Sequence, residues 1–254
     1  MINLDYLYPR LPAVIAHRGA SAAAPENTLA AFTLAAPLGA DAVELDVKLS
    51  KDGAPIIMHD PTVDRTTDGR GRVADLTLAE LKRLDAGAKK GAAFAGERVP
   101  TLAEVFEAIG DKMWINVELT NYTTRGDGLE RVVVELIGKM NMRRRVLLSS
   151  FDPLAIRAVK VFDPGLPVAQ LTAQRLPIYL REAWLAPFAP HEARHPDVAQ
   201  FKRKGAAYYK RRGYRLNVWT TNEPDDMKWF AAQGVDGLIT DVPDVARKMA
   251  DDGR

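Results

Sequence analysis

AVELDVKLSKDGAPIIMHD, residues 42–60, holds two apolar runs parted by a short stretch with a Lys-Asp-Gly turn. A parallel crossover needs about a dozen residues or more, so the two runs are expected to pair as an antiparallel hairpin. Glu44 and Asp46 interrupt the first run at spacing two, which on a strand puts both carboxylates on one face, with Val43, Leu45 and Val47 on the other. In a simple register His59, ending the second run, falls roughly opposite Glu44. Upstream, VIAHRGASAAAPENTLAAF (14–32) ends its own apolar run at His17. Acid–base groups at the ends of short apolar strands are costly to bury unpaired and read as a site.

Outward from this stretch, strand-like and helix-like segments alternate almost to the end of the chain. AVIAH (13–17), MWINVEL (113–119), RVLLS (145–149), PVAQLT (167–172), LAPFA (185–189), YRLNVWT (214–220) and DGLIT (236–240) join AVELDVK as strand candidates. Helical patterns such as GLERVVVELIGKM, DPLAIRAVKVF and PDDMKWFAAQG lie between them. Eight strands of this kind in 254 residues predict an α/β protein, a (β/α)8 TIM barrel, with PIIMH as an extra antiparallel strand. LAPFA is the weakest of the eight. Residues 60–100 form a long connection with a Gly-rich turn and a short helix, LTLAELKRL, expected as an insertion into a single domain spanning 1–254.

Composition narrows the function. Cysteine is absent, which excludes disulfides, thiolate metal sites and a cysteine nucleophile. Formal net charge is +2, so nothing global favours nucleic acid. The basic run FKRKGAAYYKRRGYR (201–215) reads as a solvated helix face, and His191 and His195 as residues of an exposed Pro-rich loop. The opening MINLDYLYPRLP lacks the pattern of a secretion signal and no apolar stretch is long enough to span a bilayer. A cytoplasmic protein without a stable membrane anchor is expected.

Glu118 in WINVELT occupies a place like that of Glu44 and Asp46, near the end of a strand. Three carboxylates converging at one barrel mouth suit one hard divalent cation, Mg²⁺ or Ca²⁺. His17 and His59 could exchange protons near neutral pH, and Arg18 could supply a fixed positive charge to an anionic, phosphate-like substrate. PENT (25–28) reads mainly as a helix start, with a proline and an acid before an Asn or Thr cap.

HRG…PENT followed by ELDVKLSKDGAPIIMHD resembles the glycerophosphodiester phosphodiesterase family. The likeness continues through DRTTDGRGRVADLTLAELKRLDAG, VPTLAEVFEAI, NVEL, LLSSFDP, NVWTTN and VDGLITDVPD, in order over nearly the whole chain. The resemblance implies a barrel in which His17 and His59 act as acid and base, Glu44, Asp46 and Glu118 hold a divalent metal, and Arg18 meets the phosphate. Phe151 and Trp219, in the matching LLSSFDP and NVWTTN segments, are expected against the substrate, a small phosphodiester. The implied reaction yields sn-glycerol 3-phosphate and an alcohol. One departure stands out: a lysine common two residues after the third acid is replaced by Thr120, which would leave Arg18 and the metal more of the phosphate charge to carry. Two other readings remain. A lysophospholipase D-type enzyme for single-chain lipids would need an apolar rim, for which Trp184, Leu185 and Phe188 are candidates. A non-catalytic phosphoglycerol-binding barrel would more naturally lack a histidine.

Overall fold

Nine strands share one sheet in the computed structural model, which describes residues 2–252. They are β1 (Ala13–His17), β2 (Ala42–Leu49), β3 (Pro55–Ile57), β4 (Trp114–Leu119), β5 (Val146–Ser150), β6 (Val168–Thr172), β7 (Ala193–Pro196), β8 (Arg215–Val218) and β9 (Gly237–Thr240). All except β3 run parallel to their neighbours, and β1 pairs with both β9 and β2, which closes an eight-stranded barrel. Helices cover its outside, among them Leu29–Ala35, Leu102–Ile109, Leu129–Lys139, Pro153–Phe162, Pro224–Ala232 and Pro243–Asp252. None among the described residues is long and apolar enough to cross a membrane.

The alternation of each strand sorts the two sides of the wall. On β2, Val43, Leu45 and Val47 join the helix-facing core with Phe32, Val105 and Ile109. Within the barrel, Ala13, Ile15, Ala42, Trp114, Leu147, Ala169, Ala193 and Ile239 pack against Leu4, Leu7 and Tyr8, which plug the N-terminal end. Above this apolar floor the interior turns polar: Asn217 Nδ2 donates to Tyr8 Oη at 2.8 Å and lies 2.9 Å from His195 Nε2.

β2 is long enough to be shared. Its first half pairs with β1, aligning His17 with Glu44, and its second half pairs with β3, aligning Val47 with Ile57. The hairpin is antiparallel, and Met58 N–H still donates to the Asp46 carbonyl at 2.9 Å. Its register puts Leu49 against Pro55 and, continued, brings His59 opposite Leu45, next to Glu44 as expected. Residues 58–99 fold back as a small lobe around Met58, Val63, Val73, Leu81 and Val99. Its short helix, Leu78–Leu81, begins at a capping box between Thr77 and Glu80.

The seventh strand differs from the sequence reading. LAPFA is not a strand; it belongs to the connection after the short helix Ile178–Arg181, and β7 is ARHP instead. His191 and His195 are accordingly buried, not in an exposed loop. His191 stacks on Tyr214 at 4.8 Å and its Nδ1–H donates to the Ala189 carbonyl at 2.7 Å, and burial pushes its pKa down to about 4. The basic run forms two short helices, Val198–Lys204 and Ala206–Lys210, broken at Gly205. Several of its charges are paired: Lys202 with Asp226 at 2.7 Å, and Arg203 and Lys204 with Glu182 at 2.8 and 2.7 Å.

Candidate active site

Two strands approach the same stretch of β2 from opposite directions. β1 rises and ends at His17; β3 descends and hands over to His59. Both imidazoles are held the same way. His17 Nδ1 lies 2.6 Å from Asp241 Oδ1, just beyond β9, and His59 Nδ1 lies 2.6 Å from Asp60 Oδ1. Engaging Nδ1 in each ring leaves Nε2 for proton exchange. Burial works to raise the Asp241 pKa, but hydrogen bonds from His17, Asn222 and Ser21 bring it down to about 2. Asp60 is also brought down to about 2, mainly by the hydrogen bond from Arg65 and then by His59.

The chain must turn sharply after β1 to make room. Arg18 and Gly19 both have positive φ, 57° and 80°. A Cβ at Gly19 would meet the Ala31 backbone at 2.6 Å, so only glycine fits. The turn delivers Arg18 N–H to Glu44 Oε2 at 3.0 Å and sets its guanidinium 2.9 Å from Glu26 and 3.5 Å from Asp46. PENT starts the helix as expected and also reaches the site: Thr28 caps the helix Leu29–Ala35, and the Asn27 amide donates to Asp46 Oδ2 at 2.9 Å. Glu26 also takes a two-pronged hydrogen bond from Arg65, both arms 2.7 Å, tying the lobe to the barrel.

Glu44, Asp46 and Glu118 offer oxygens that all lie within 4.8 Å of one another. Glu44 and Asp46 are buried, and Glu44 Oε1 has no hydrogen-bond partner. Burial, together with the neighbouring carboxylates, holds the Glu44 and Glu118 pKa values well above the ordinary carboxylate range. Three hard oxygen donors, one of them buried and unpartnered, fit a divalent cation better than they fit one another.

Phe151 and Trp219 stand together, ring centres 5.5 Å apart, and Phe151 meets Tyr122 at 6.0 Å. Trp219 Nε1–H donates to the His195 carbonyl at 2.8 Å.

Three groups escaped the sequence reading. Tyr122 donates to Glu118 Oε1 at 2.9 Å and accepts from Phe151 N–H at 3.2 Å. Asp241 partners His17; its signal was an acid directly after a strand end. Lys48 is the third. It follows Glu44 and Asp46 at the same spacing of two, and its buried ammonium reaches Thr120, 2.6 Å from Oγ1 and 2.9 Å from the carbonyl. A cation from the neighbouring strand thus stands against Thr120, the residue found where a lysine was expected.

Comparison with known proteins places this geometry. A model described as the Glycerophosphoryl diester phosphodiesterase family matches residues 17–245. The chain is 44% identical over 233 residues to a glycerophosphodiester phosphodiesterase of Caldanaerobacter subterraneus, covering 91% of this chain and 94% of that one. A phosphodiesterase of Oleispira antarctica solved in complex with its product sn-glycerol-3-phosphate superposes with a TM-score of 0.84 at 33% identity, over 96% of this chain and 99% of that one. A glycerophosphodiester phosphodiesterase of Agrobacterium tumefaciens gives 0.80 at 28% identity, over 94% and 100%.

Proposed function

The chain belongs to the glycerophosphoryl diester phosphodiesterase family, and on that premise we propose that it hydrolyses glycerophosphodiesters to sn-glycerol 3-phosphate and an alcohol by paired histidine acid–base catalysis dependent on a divalent cation. The observation that carries this reading is the convergence of two carboxylate-anchored histidines on one cluster of three carboxylates. Residues 1–254 would act as one catalytic domain with the 60–100 lobe as its insertion. It would work in the cytoplasm on a small-molecule diester.

Glu44, Asp46 and Glu118 would hold one cation, Mg²⁺ or Ca²⁺. When bound, it would offset their mutual repulsion and polarise a phosphate oxygen. The remaining work falls to the chain. One histidine takes a proton at Nε2 from the attacking hydroxyl, that of the glycerol or of water. The other gives its Nε2 proton to the departing alcohol oxygen. Asp241 and Asp60, both held ionised, keep each ring in the tautomer that leaves Nε2 available and stabilise its charged form. Arg18 supplies a fixed positive charge, Lys48 adds an ammonium that Asp46 and Glu118 favour against its burial, and Phe151 and Trp219 pack the carbon face of the substrate.

The test is turnover of glycerophosphocholine and glycerophosphoethanolamine, with sn-glycerol 3-phosphate as the measured product. Hydrolysis is expected to stop in EDTA and return with added Mg²⁺ or Ca²⁺. Binding of these diesters without turnover in either cation would mark a phosphoglycerol-binding barrel instead.

A further inference from the structure

The face of the barrel opposite the carboxylates carries a hollow of its own, about 370 Å³ in volume. It lies at the feet of three neighbouring strands. Asp41 precedes β2, Lys112 and Met113 lead into Trp114 at the start of β4, and Arg144 and Arg145 precede β5. Tyr6, Leu7 and Pro9 of the N-terminal segment complete the wall. Charge pairing at this end of the molecule is selective. Arg10 and Arg247 share Asp41, Arg143 meets Asp163 at 2.5 Å, and Arg215 holds Asp236 and Asp5. Among the described residues, Lys112, Arg144 and Arg145 meet no carboxylate: the Lys112 ammonium donates to the Ala108 carbonyl at 3.4 Å, and the Arg144 guanidinium lies 4.9 Å from the centre of the Tyr6 ring. Asp41, the one carboxylate on the wall, is taken by its two arginines and by Val14 N–H, 2.9 Å away. Asp111, next to Lys112 in the chain, does not line the hollow. Trp114 is 4% exposed, and its buried indole N–H has no acceptor.

We propose that this hollow binds a small organic phosphate with two or more negative charges. Three unpaired cations on one concave wall, with its single carboxylate already neutralised, attract an anion of matching charge. Two neighbouring guanidinium forks suit the paired oxygens of a phosphate, and the ammonium adds a point charge. Volume and wall select an organic phosphate over the inorganic ion. The hollow falls within the range of about 300–1,000 Å³ typical of small-molecule sites. Tyr6, Leu7, Pro9 and Met113 offer aromatic and apolar surface that a carbon skeleton covers and a bare ion does not. Such a ligand is held and not turned over, because no histidine and no free carboxylate line the hollow. The site stands apart from the phosphodiesterase reading: its groups sit at strand starts, whereas His17 and Glu118 lie at or near strand ends.

The test is equilibrium dialysis of the full chain in EDTA, which keeps divalent cations from the carboxylate cluster. Phenyl phosphate, inorganic phosphate and benzenesulfonate are the probes. Phenyl phosphate is expected to bind about tenfold more tightly than either of the others, since inorganic phosphate lacks the ring and benzenesulfonate lacks the second charge. Arg144→Ala and Arg145→Ala, at exposed positions, should each weaken phenyl phosphate about tenfold or more, the loss of a charge-assisted pair. Arg18→Met, at the catalytic mouth, should leave binding unchanged. Binding lost in Arg18→Met but kept in Arg145→Ala puts the phosphate at the catalytic mouth and overturns the site. Equal affinity for all three probes marks a loose basic patch and overturns the organic ligand. Absence of binding of any probe at millimolar concentration overturns the proposal outright. None of these outcomes touches the turnover of glycerophosphodiesters, which is measured separately.

Discussion

The barrel wall and the lobe each contribute one histidine–carboxylate couple, and they assemble it by opposite routes. His17 finds its partner 224 residues along the chain, where β9 closes against β1. His59 finds its partner in the next residue. The His17 side chain is 17% exposed and the His59 side chain 43%. One couple is thus fixed by the global fold and depends on barrel closure. The other is made locally, and what must be arranged is where the whole couple sits. That arrangement rests on the Arg65–Glu26 fork and the β2–β3 ladder. The same chemical unit can be rigid by topology or rigid by docking, and the two should fail differently.

The largest effect should come from the rings themselves. His17→Ala and His59→Ala are each expected to lower kcat by about a hundredfold to ten-thousandfold. The double variant should be little worse than the poorer single one, because the two transfers serve one displacement. Near-normal turnover in either single variant would remove that histidine from the chemistry and dissolve the comparison.

Next come the anchors. Asp241→Asn should lower kcat by roughly a hundredfold, the scale of a misplaced catalytic group. Asp60→Asn should cost less, about tenfold, since the exposed His59 ring can recruit water in its place. Arg65→Met should resemble Asp60→Asn in rate, while leaving His17-dependent behaviour intact. Equal losses at Asp241 and Asp60 would mean that the local couple is as tightly held as the global one.

Lys48 tests the barrel side alone. Lys48→Met should raise KM for glycerophosphocholine about tenfold, the loss of one charge-assisted hydrogen bond to an anion. Thr120→Lys, by contrast, would set a second ammonium against the first and displace its hydrogen bonds. It should therefore fail to lower KM in the parent chain and rescue it only in the Lys48→Met background.

The smallest effect is on stability in acid. Asp60 and Asp241 both sit at about 2 in the folded chain, below the ordinary 3.8. As pH falls the unfolded chain therefore binds these protons first, so the stabilisation is complete above about pH 4 and lost toward pH 2. Urea midpoints at pH 4.5 and 2.5 should draw together most in Asp241→Asn. Asp60→Asn should change the difference less, because its pair is more exposed and better screened.

Much of this molecule was legible in its sequence because barrel strands carry two signals at once. On β2 the helix-facing Val43, Leu45 and Val47 announced a strand, and the intervening Glu44 and Asp46 announced what its inner face does. β7 carried neither. Its four residues, Ala-Arg-His-Pro, are all buried, yet Arg194 and His195 are polar, so the stretch reads as a loop until Tyr214 and Asn217 are seen against them. LAPFA misled for the complementary reason: Leu185 lines a cavity and Phe188 faces solvent, and only Ala189 joins the core. Lys48 and Asp241 were hidden differently. Each is unremarkable beside its sequence neighbours, and each acquires its place from residues distant in the chain, Thr120 just beyond β4 in one case and His17 at the end of β1 in the other.

The closure of β9 on β1 also sets an order in time. A chain made from its N-terminus presents both histidines, all three carboxylates and the whole lobe before residue 237 exists. Until then β1 has one bare edge and His17 has no anchor. Catalytic competence would therefore arrive with the last strand, after every group that performs the chemistry has been synthesised. A fragment ending near residue 235 would hold the complete list of reacting residues and remain silent, so activity would serve as a signal that the ring has shut.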